Sequence, residues 1–155
     1  MKKIIVVLMI SIMSLFLFSR APVLAEEYNY GDYKSQTLIA RAWEAFKKDE
    51  IEAVFAYTNK CVEMYAQDAQ KMQKRLKEYP KGDKDEIISK WWALNDVATA
   101  YFIQGETYAK SGMKEMARGA YEEVIKNFSF GQCWDPQGWF WKPADAAKEK
   151  IAGLK

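Results

Sequence analysis

The sequence predicts an all-α protein. Apolar side chains recur every three or four residues through four long segments, the spacing that places them on one face of an amphipathic helix. Helix-stopping residues separate these segments, namely Asp49-Glu50, Pro80 with Gly82, and Gly112. This combination predicts helices that are joined by short turns.

The ends of the four helices follow from their capping and stop signals. Ser35 is a suitable N-cap for the first helix, and Pro80 ends the second because proline cannot continue it. Asp85, with an acidic residue after it in the first turn, opens the third. The predicted bounds are about residues 36–48, 50–79, 85–110 and 113–128.

The composition changes after the fourth helix. Residues 129–141 are rich in glycine and aromatic residues. Asp135-Pro136 can cap and start a helix, since proline is favoured at the first helical position, and Pro143 could restart or kink it. The last helix packs through residues such as Ala147 and is predicted to cap the open end of a helical array.

The first 25 residues are predicted to be a secretory signal peptide. Lys2 and Lys3 precede an uncharged apolar run over residues 4–18, and the segment ends in small residues at Ala25. A retained membrane anchor is the alternative, but the run is shorter than the roughly 20 apolar residues of a spanning helix. We therefore expect no integral membrane segment after cleavage.

The predicted mature chain is exported to the periplasm or the extracellular medium. It consists of an arm at residues 26–35 and one helical domain at residues 36–155. Of the 23 basic residues three lie in the signal peptide, which leaves 20 against 21 acidic residues. A nucleic-acid partner is not expected, because such proteins normally carry a one-sided basic surface.

Catalytic and metal-binding patterns are absent from the sequence. The chain has no histidine, which removes the usual general base near neutral pH and the commonest transition-metal ligand. It has no glycine-rich phosphate loop and no serine-nucleophile motif. We therefore expect no enzymatic activity, no catalytic residues, no metal and no cofactor.

Cys61 and Cys133 are the two cysteines of the chain. They would meet an oxidising environment after export and could pair, although the sequence cannot show whether their Cα atoms come within disulfide distance. The alternative is two unpaired thiols that pack as small apolar groups.

The segment from Tyr101 to Phe128 carries small and bulky residues at the spacing of a helix-turn-helix unit. The five positions that define this spacing are Gly105, Tyr108, Gly112, Ala117 and Tyr121. A small residue lets the neighbouring helix approach, and the glycine of the turn permits a left-handed conformation. The segment resembles the tetratricopeptide repeat (TPR), a helix pair of about 34 residues.

The resemblance covers about two repeats. It is sharp from Ala98 to about Phe128 and looser from Ser35 to Tyr65. Ala53 and Ala117 occupy equivalent positions but lie 64 residues apart, which exceeds one period of about 34 residues. The apolar stripes run on between them, so we expect the two middle helices to be elongated into a projecting antiparallel hairpin tipped by residues 80–82. A third, unrecognised repeat is the alternative.

TPR-like proteins mostly bind peptides or proteins on the concave face formed by the first helix of each pair. The matching positions here are Thr99, Phe102, Glu106 and Lys110. Members that hold a C-terminal carboxylate place cationic donors at such positions. Phe102 and Glu106 depart from that pattern, so the resemblance implies an apolar or mixed peptide surface.

Trp134, Trp139 and Trp141 are crowded around one predicted turn. Aromatic clusters can line peptide or sugar sites, but they can equally close the end of a small helical array. The sequence therefore favours a TPR-like module that binds a protein or peptide in the cell envelope. The alternatives are a small-ligand or glycan-binding protein that uses the tryptophan-rich turn, and an assembly subunit whose long hairpin pairs with its own copy.

Overall fold

A computed structural model describes residues 28–154, so the predicted signal peptide lies outside the described residues. These residues form six helices and one small antiparallel sheet. The six helices confirm the predicted all-α class, and the two-stranded sheet is an addition to it. The helices are α1 (Ser35–Lys47), α2 (Ile51–Lys74), α3 (Lys84–Lys90), α4 (Trp92–Lys110), α5 (Lys114–Asn127) and α6 (Pro143–Gly153). The strands are β1 (Cys133–Trp134) and β2 (Phe140–Trp141).

Helices α2 and α4 run antiparallel. The start of α2 meets the end of α4 through Phe55 and Tyr108, whose ring centroids are 4.7 Å apart. Further along, Tyr65 of α2 lies 5.1 Å from Trp92 at the start of α4. Helices α4 and α5 also run antiparallel, because Tyr101 in the middle of α4 stacks on the residue that directly follows the end of α5.

Helices α1 and α4 run parallel. The hydroxyl of Ser35, the first residue of α1, donates a hydrogen bond to Asp96 near the start of α4. At the other ends of the two helices, the Lys110 ammonium lies 5.5 Å from the centroid of the Phe46 ring. The chain therefore forms two antiparallel helix pairs, α1 with α2 and α4 with α5, whose first helices lie side by side.

Helix α4 occupies the centre of the molecule. It contacts α1, α2, α5 and α6, and 12 of its 19 residues are buried. Leu94, Val97 and Ile103 are completely buried on it. Helix α4 also contacts α3 and β1.

The close approach predicted at Gly105 is present between α4 and α5. A Cβ atom at this position would lie 2.4 Å from Cε1 of Tyr121, and the Tyr121 side chain is fully buried. The predicted left-handed turn is also present, since Gly112 has a φ of 74°.

The predicted third helix is divided in two. It was expected to start at Asp85, but the N-cap is Asp83, whose Oδ1 accepts a hydrogen bond from the Glu86 amide at 2.9 Å. Trp91, with φ of −116° and ψ of 21°, then separates α3 from α4. The break lets the buried Trp91 ring pack under Arg75, whose guanidinium carbon lies 5.7 Å from the ring centroid.

The segment expected to project as a hairpin tip is folded against the body. The Pro80 carbonyl accepts a hydrogen bond from the Gln132 side chain at 3.4 Å, and Tyr79 packs edge-on against Phe130 at 5.8 Å. The elongation itself is present in α2, which has 24 residues. Aromatic packing and a buried carbonyl therefore hold the end of this hairpin down.

The prediction that a helix starts at Asp135-Pro136 is wrong. Cys133 pairs with Trp141 and Trp134 with Phe140 in a β-hairpin. The Asp135 amide donates to the Trp139 carbonyl at 2.8 Å, and Gly138 adopts a φ of 106° that suits a tight turn. The last helix instead starts at Pro143, where the sequence also allowed a helix to begin, and Pro143 is its first residue.

None of the helices within residues 28–154 combines the length and the apolar character that crossing a membrane requires.

We expect Gly105→Ala to destabilise the protein by about 2 kcal/mol, because the added methyl group would overlap the fully buried Tyr121 ring. The measurement is the free energy of unfolding from urea denaturation. Gly119→Ala in α5 is the matched control, since a Cβ atom there meets nothing within 4 Å. That change should stabilise by up to about 1 kcal/mol, and an equal loss of stability from both substitutions would contradict the packing assignment.

Candidate functional site

A cleft of about 1020 Å³ opens on the side of the molecule where α1 and α4 lie next to each other. Helix α1 lines one side, and the β-hairpin lines the other. The first half of α4 lies between them, and single residues of α2 and α3 complete the lining. The site therefore combines parts of the chain that are about 100 residues apart.

Aromatic side chains supply most of the apolar lining of the cleft. They are Trp43, Tyr65, Trp92, Phe102, Trp134 and Trp141. Several are held by edge-on ring contacts, with Trp92 lying 5.1 Å from Tyr65 and Trp141 lying 5.3 Å from Phe102. These contacts present rigid apolar surfaces to any molecule in the cleft.

Polar groups form the floor of the cleft. The Thr99 hydroxyl donates to the Asn95 carbonyl at 2.8 Å and also lies 3.1 Å from Cys133 Sγ. Asn95 Oδ1 accepts from the Gln132 amide at 2.9 Å, which attaches the β-hairpin to α4. These bonds satisfy the buried polar atoms of the floor within the protein.

Asp96 is the charged group of this floor. Its Oδ2 accepts a hydrogen bond from the Ser35 hydroxyl at 2.5 Å. Burial raises the pKa of Asp96 to about 6, and the bond from Ser35 opposes this shift. Among residues 28–154, no lysine or arginine forms an ion pair with Asp96.

Four of the sequence-predicted binding residues line the cleft. Thr99 and Phe102 do so from α4, and Trp134 and Trp141 from the β-hairpin. The two sets, which the sequence suggested as separate surfaces, are parts of one site.

The other three predicted binding residues lie outside the cleft. Glu106 accepts a hydrogen bond from the Tyr121 hydroxyl and forms an ion pair with Lys150 at 2.6 Å, so it joins α4 to α5 and α6. Lys110 forms an ion pair with Asp49. Trp139, at the tip of the β-hairpin, is 51% exposed.

Cys61 and Cys133 are both free thiols in the structure. Cys61 is buried in α2, and burial raises its pKa far above the ordinary range. Cys133 lines the cleft, where burial raises its pKa to about 12 although the hydrogen bond with Thr99 opposes the shift. Both side chains are therefore protonated near neutral pH and unsuited to act as nucleophiles.

No group of three or more cysteine, aspartate or glutamate side chains within residues 28–154 is arranged to hold a metal ion. The cleft combines aromatic surfaces, hydrogen-bonded polar groups and two carboxylates, of which Asp96 lies in the floor and Asp135 belongs to the β-hairpin. This arrangement is suited to binding an apolar segment that carries a hydrogen-bond donor or a positive charge.

Sequence reasoning missed several lining residues. Ser35 was expected to cap α1, but it is the first helical residue and its hydroxyl is directed to α4 instead. Asp96 belongs to none of the predicted binding sets. A signal existed in the spacing of Trp92, Asp96 and Thr99, which places a carboxylate on the same face of one helix as two lining residues.

Comparisons of the chain with family models, with curated proteins and with solved structures gave no match.

The pKa of Asp96 implies a pH-dependent cost of folding. In the unfolded chain this carboxyl group titrates near 4, whereas in the folded protein its pKa is about 6. Between these values the folded state holds more protons than the unfolded state, so stability falls as the pH rises from about 4 to above 6.

Asp96→Asn should remove this cost and keep an acceptor for the Ser35 hydroxyl. We expect the variant to exceed the wild type in free energy of unfolding by on the order of 2 kcal/mol at pH 8 and to match it near pH 4. Urea denaturation at both pH values measures this difference. Asp68→Asn, which removes a surface carboxylate paired with Lys71 at 3.0 Å, should show no such gain, and a pH-independent effect of Asp96→Asn would contradict the account.

Proposed function

We propose that the chain is an exported, TPR-like binding module that holds a segment of a peptide or protein partner in the cleft between α1, α4 and the β-hairpin. The observation that carries this proposal is the position of the cleft. It opens where the first helices of the two helix pairs lie side by side, the surface that TPR-like proteins use for peptides.

The packing of the helices supports the TPR-like part of the proposal. The two antiparallel pairs place their first helices parallel, as stacked repeats do, and the contact of Gly105 with Tyr121 occurs where the repeat requires close approach. The additional helix α3 and the β-hairpin are departures from a simple repeat. In the proposal these additions serve the site, because Ile88 and the hairpin both line the cleft.

The chemistry of the lining supports a peptide or protein segment as the ligand. A volume of about 1020 Å³ lies at the upper end of the range of small-molecule pockets and suits several side chains of a bound segment. Tryptophan and tyrosine dominate the energetics of many protein interfaces, because they bury a large area while keeping a polar group available.

The proposal takes the predicted signal peptide to direct export, so the partner would lie outside the cytoplasm. In this proposal the partner is another envelope protein or a secreted one, and the mechanism is binding without chemistry. A cofactor has no role in it.

A small ligand or glycan is the second candidate. It is favoured by the tryptophans that line the cleft, since flat aromatic rings suit the apolar faces of sugars as well as peptide side chains. In this alternative Trp134 and Trp141 would contact the sugar, while the exposed Trp139 would lie outside the site.

We expect Ala40→Trp to abolish partner binding. Ala40 is an exposed residue of α1 that lines the cleft, so an indole at this position would fill the cleft without disturbing the core. Gln70→Trp, on an exposed part of α2 outside the cleft, is the matched control.

Each variant and the wild type would serve as bait in a pull-down from envelope extract, and all three would be applied to a glycan array. The proposal predicts proteins retained by the wild type and by Gln70→Trp but lost with Ala40→Trp. Failure to retain any specific protein, or equal retention by Ala40→Trp, would contradict it. Glycan binding that Ala40→Trp abolishes would instead support the second candidate.

A further inference from the structure

We propose that the cleft anchors a basic side chain of its bound segment, a lysine or an arginine, against the carboxylate of Asp96. This inference rests on the proposed function and names the chemical group that the site selects. Three features of the described residues support it: the missing counter-charge of Asp96, the aromatic lining around it, and the placement of the neighbouring charges.

The first feature is the missing counter-charge. Glu106, the other carboxylate that α4 holds in a partly buried position, has both a tyrosine hydroxyl and the Lys150 ammonium as partners. Asp96 has the Ser35 hydroxyl and no cationic partner among residues 28–154. A carboxylate that is partly removed from bulk water and lacks a cation is unfavourable for folding, and a cationic ligand would offset that cost.

The second feature is the aromatic lining. Tryptophan rings attract ammonium and guanidinium groups through the negative potential of their faces. The protein already uses this contact at the edge of the cleft, where the Lys84 ammonium lies 5.2 Å from the centroid of the Trp134 ring. Trp43 and Trp92 line the cleft, and no lysine or arginine among residues 28–154 lies over either ring, so both offer ring surface to the stem and head of a basic side chain.

The third feature is the placement of the neighbouring charges. Lys34 and Lys47 are exposed at the edge of the cleft, and Lys34 is already paired with Asp32 at 3.0 Å. Solvent screens such exposed charges, so their repulsion of an incoming cation is weaker than the attraction of the carboxylate below them. Asp135 adds a further negative charge to the lining.

An acidic ligand fits this site less well, because it would place a second carboxylate beside Asp96. The titratable groups on which the charge of Asp96 acts are Cys61 and Tyr65 of α2 and Cys133 of the β-hairpin. Burial raises the pKa of each of them, so all three are neutral near pH 7. Asp96 is therefore the group whose ionisation changes near pH 6, and binding of a cation should weaken as the pH falls below this value.

The test uses random dodecapeptides displayed on phage and selected against the mature protein at pH 7.5. We expect the selected peptides to share a lysine or arginine, and one of them would then be synthesised. Replacing its basic residue by norleucine or citrulline should raise the dissociation constant roughly 30-fold. Asp96→Asn should weaken the original peptide by a similar factor, whereas Asp68→Asn should leave its affinity unchanged.

The outcomes separate this inference from the proposed function. Peptides that Ala40→Trp no longer binds, but that contain no basic residue or bind Asp96→Asn equally well, would overturn the inference and leave the proposed function standing. Selection of no peptide by the folded wild type would overturn both. The norleucine and citrulline peptides are measured on the unaltered protein, so the test holds even if Asp96→Asn folds poorly.

Discussion

The structure depends on the burial of most of α4 between the other helices. Helices α1, α2, α5 and α6 all contact it, and the two helix pairs meet through it. Such a helix must carry small residues where neighbours approach closely, as Gly105 does against Tyr121. Each polar group on α4 must also find a partner inside the protein, because water cannot reach most of it.

The need for a partner at each buried polar group of α4 explains why Asp96 makes the cleft unusual. Gln104 of α4 donates to Thr58 and Asn59 of α2, and Thr107 donates to a backbone carbonyl of its own helix. Asp96 differs from these residues because it is charged and because a single hydroxyl group serves it. The fold therefore retains a carboxylate at a cost to stability, which is typical of groups that are needed for binding.

The sequence predicted the local features of the fold and missed those that depend on distant contacts. Gly105 and Gly112 act as expected, since small residues and left-handed turns leave a clear pattern over a few positions. The helix predicted to start at Asp135-Pro136 does not form, because strand pairing between the residues on both sides of this turn overrides the helix-start signal. The contact of Ser35 with Asp96 joins residues 61 positions apart, and no periodicity or spacing rule connects them.

The most direct test of the central claim, that the cleft holds a carboxylate without a counter-charge, is an NMR titration of the Asp96 carboxyl carbon. The account predicts a midpoint near pH 6 in the free protein and a lower midpoint once a lysine- or arginine-containing peptide is bound. A midpoint near 4 in the free protein, or one that does not change when such a peptide binds, would contradict it.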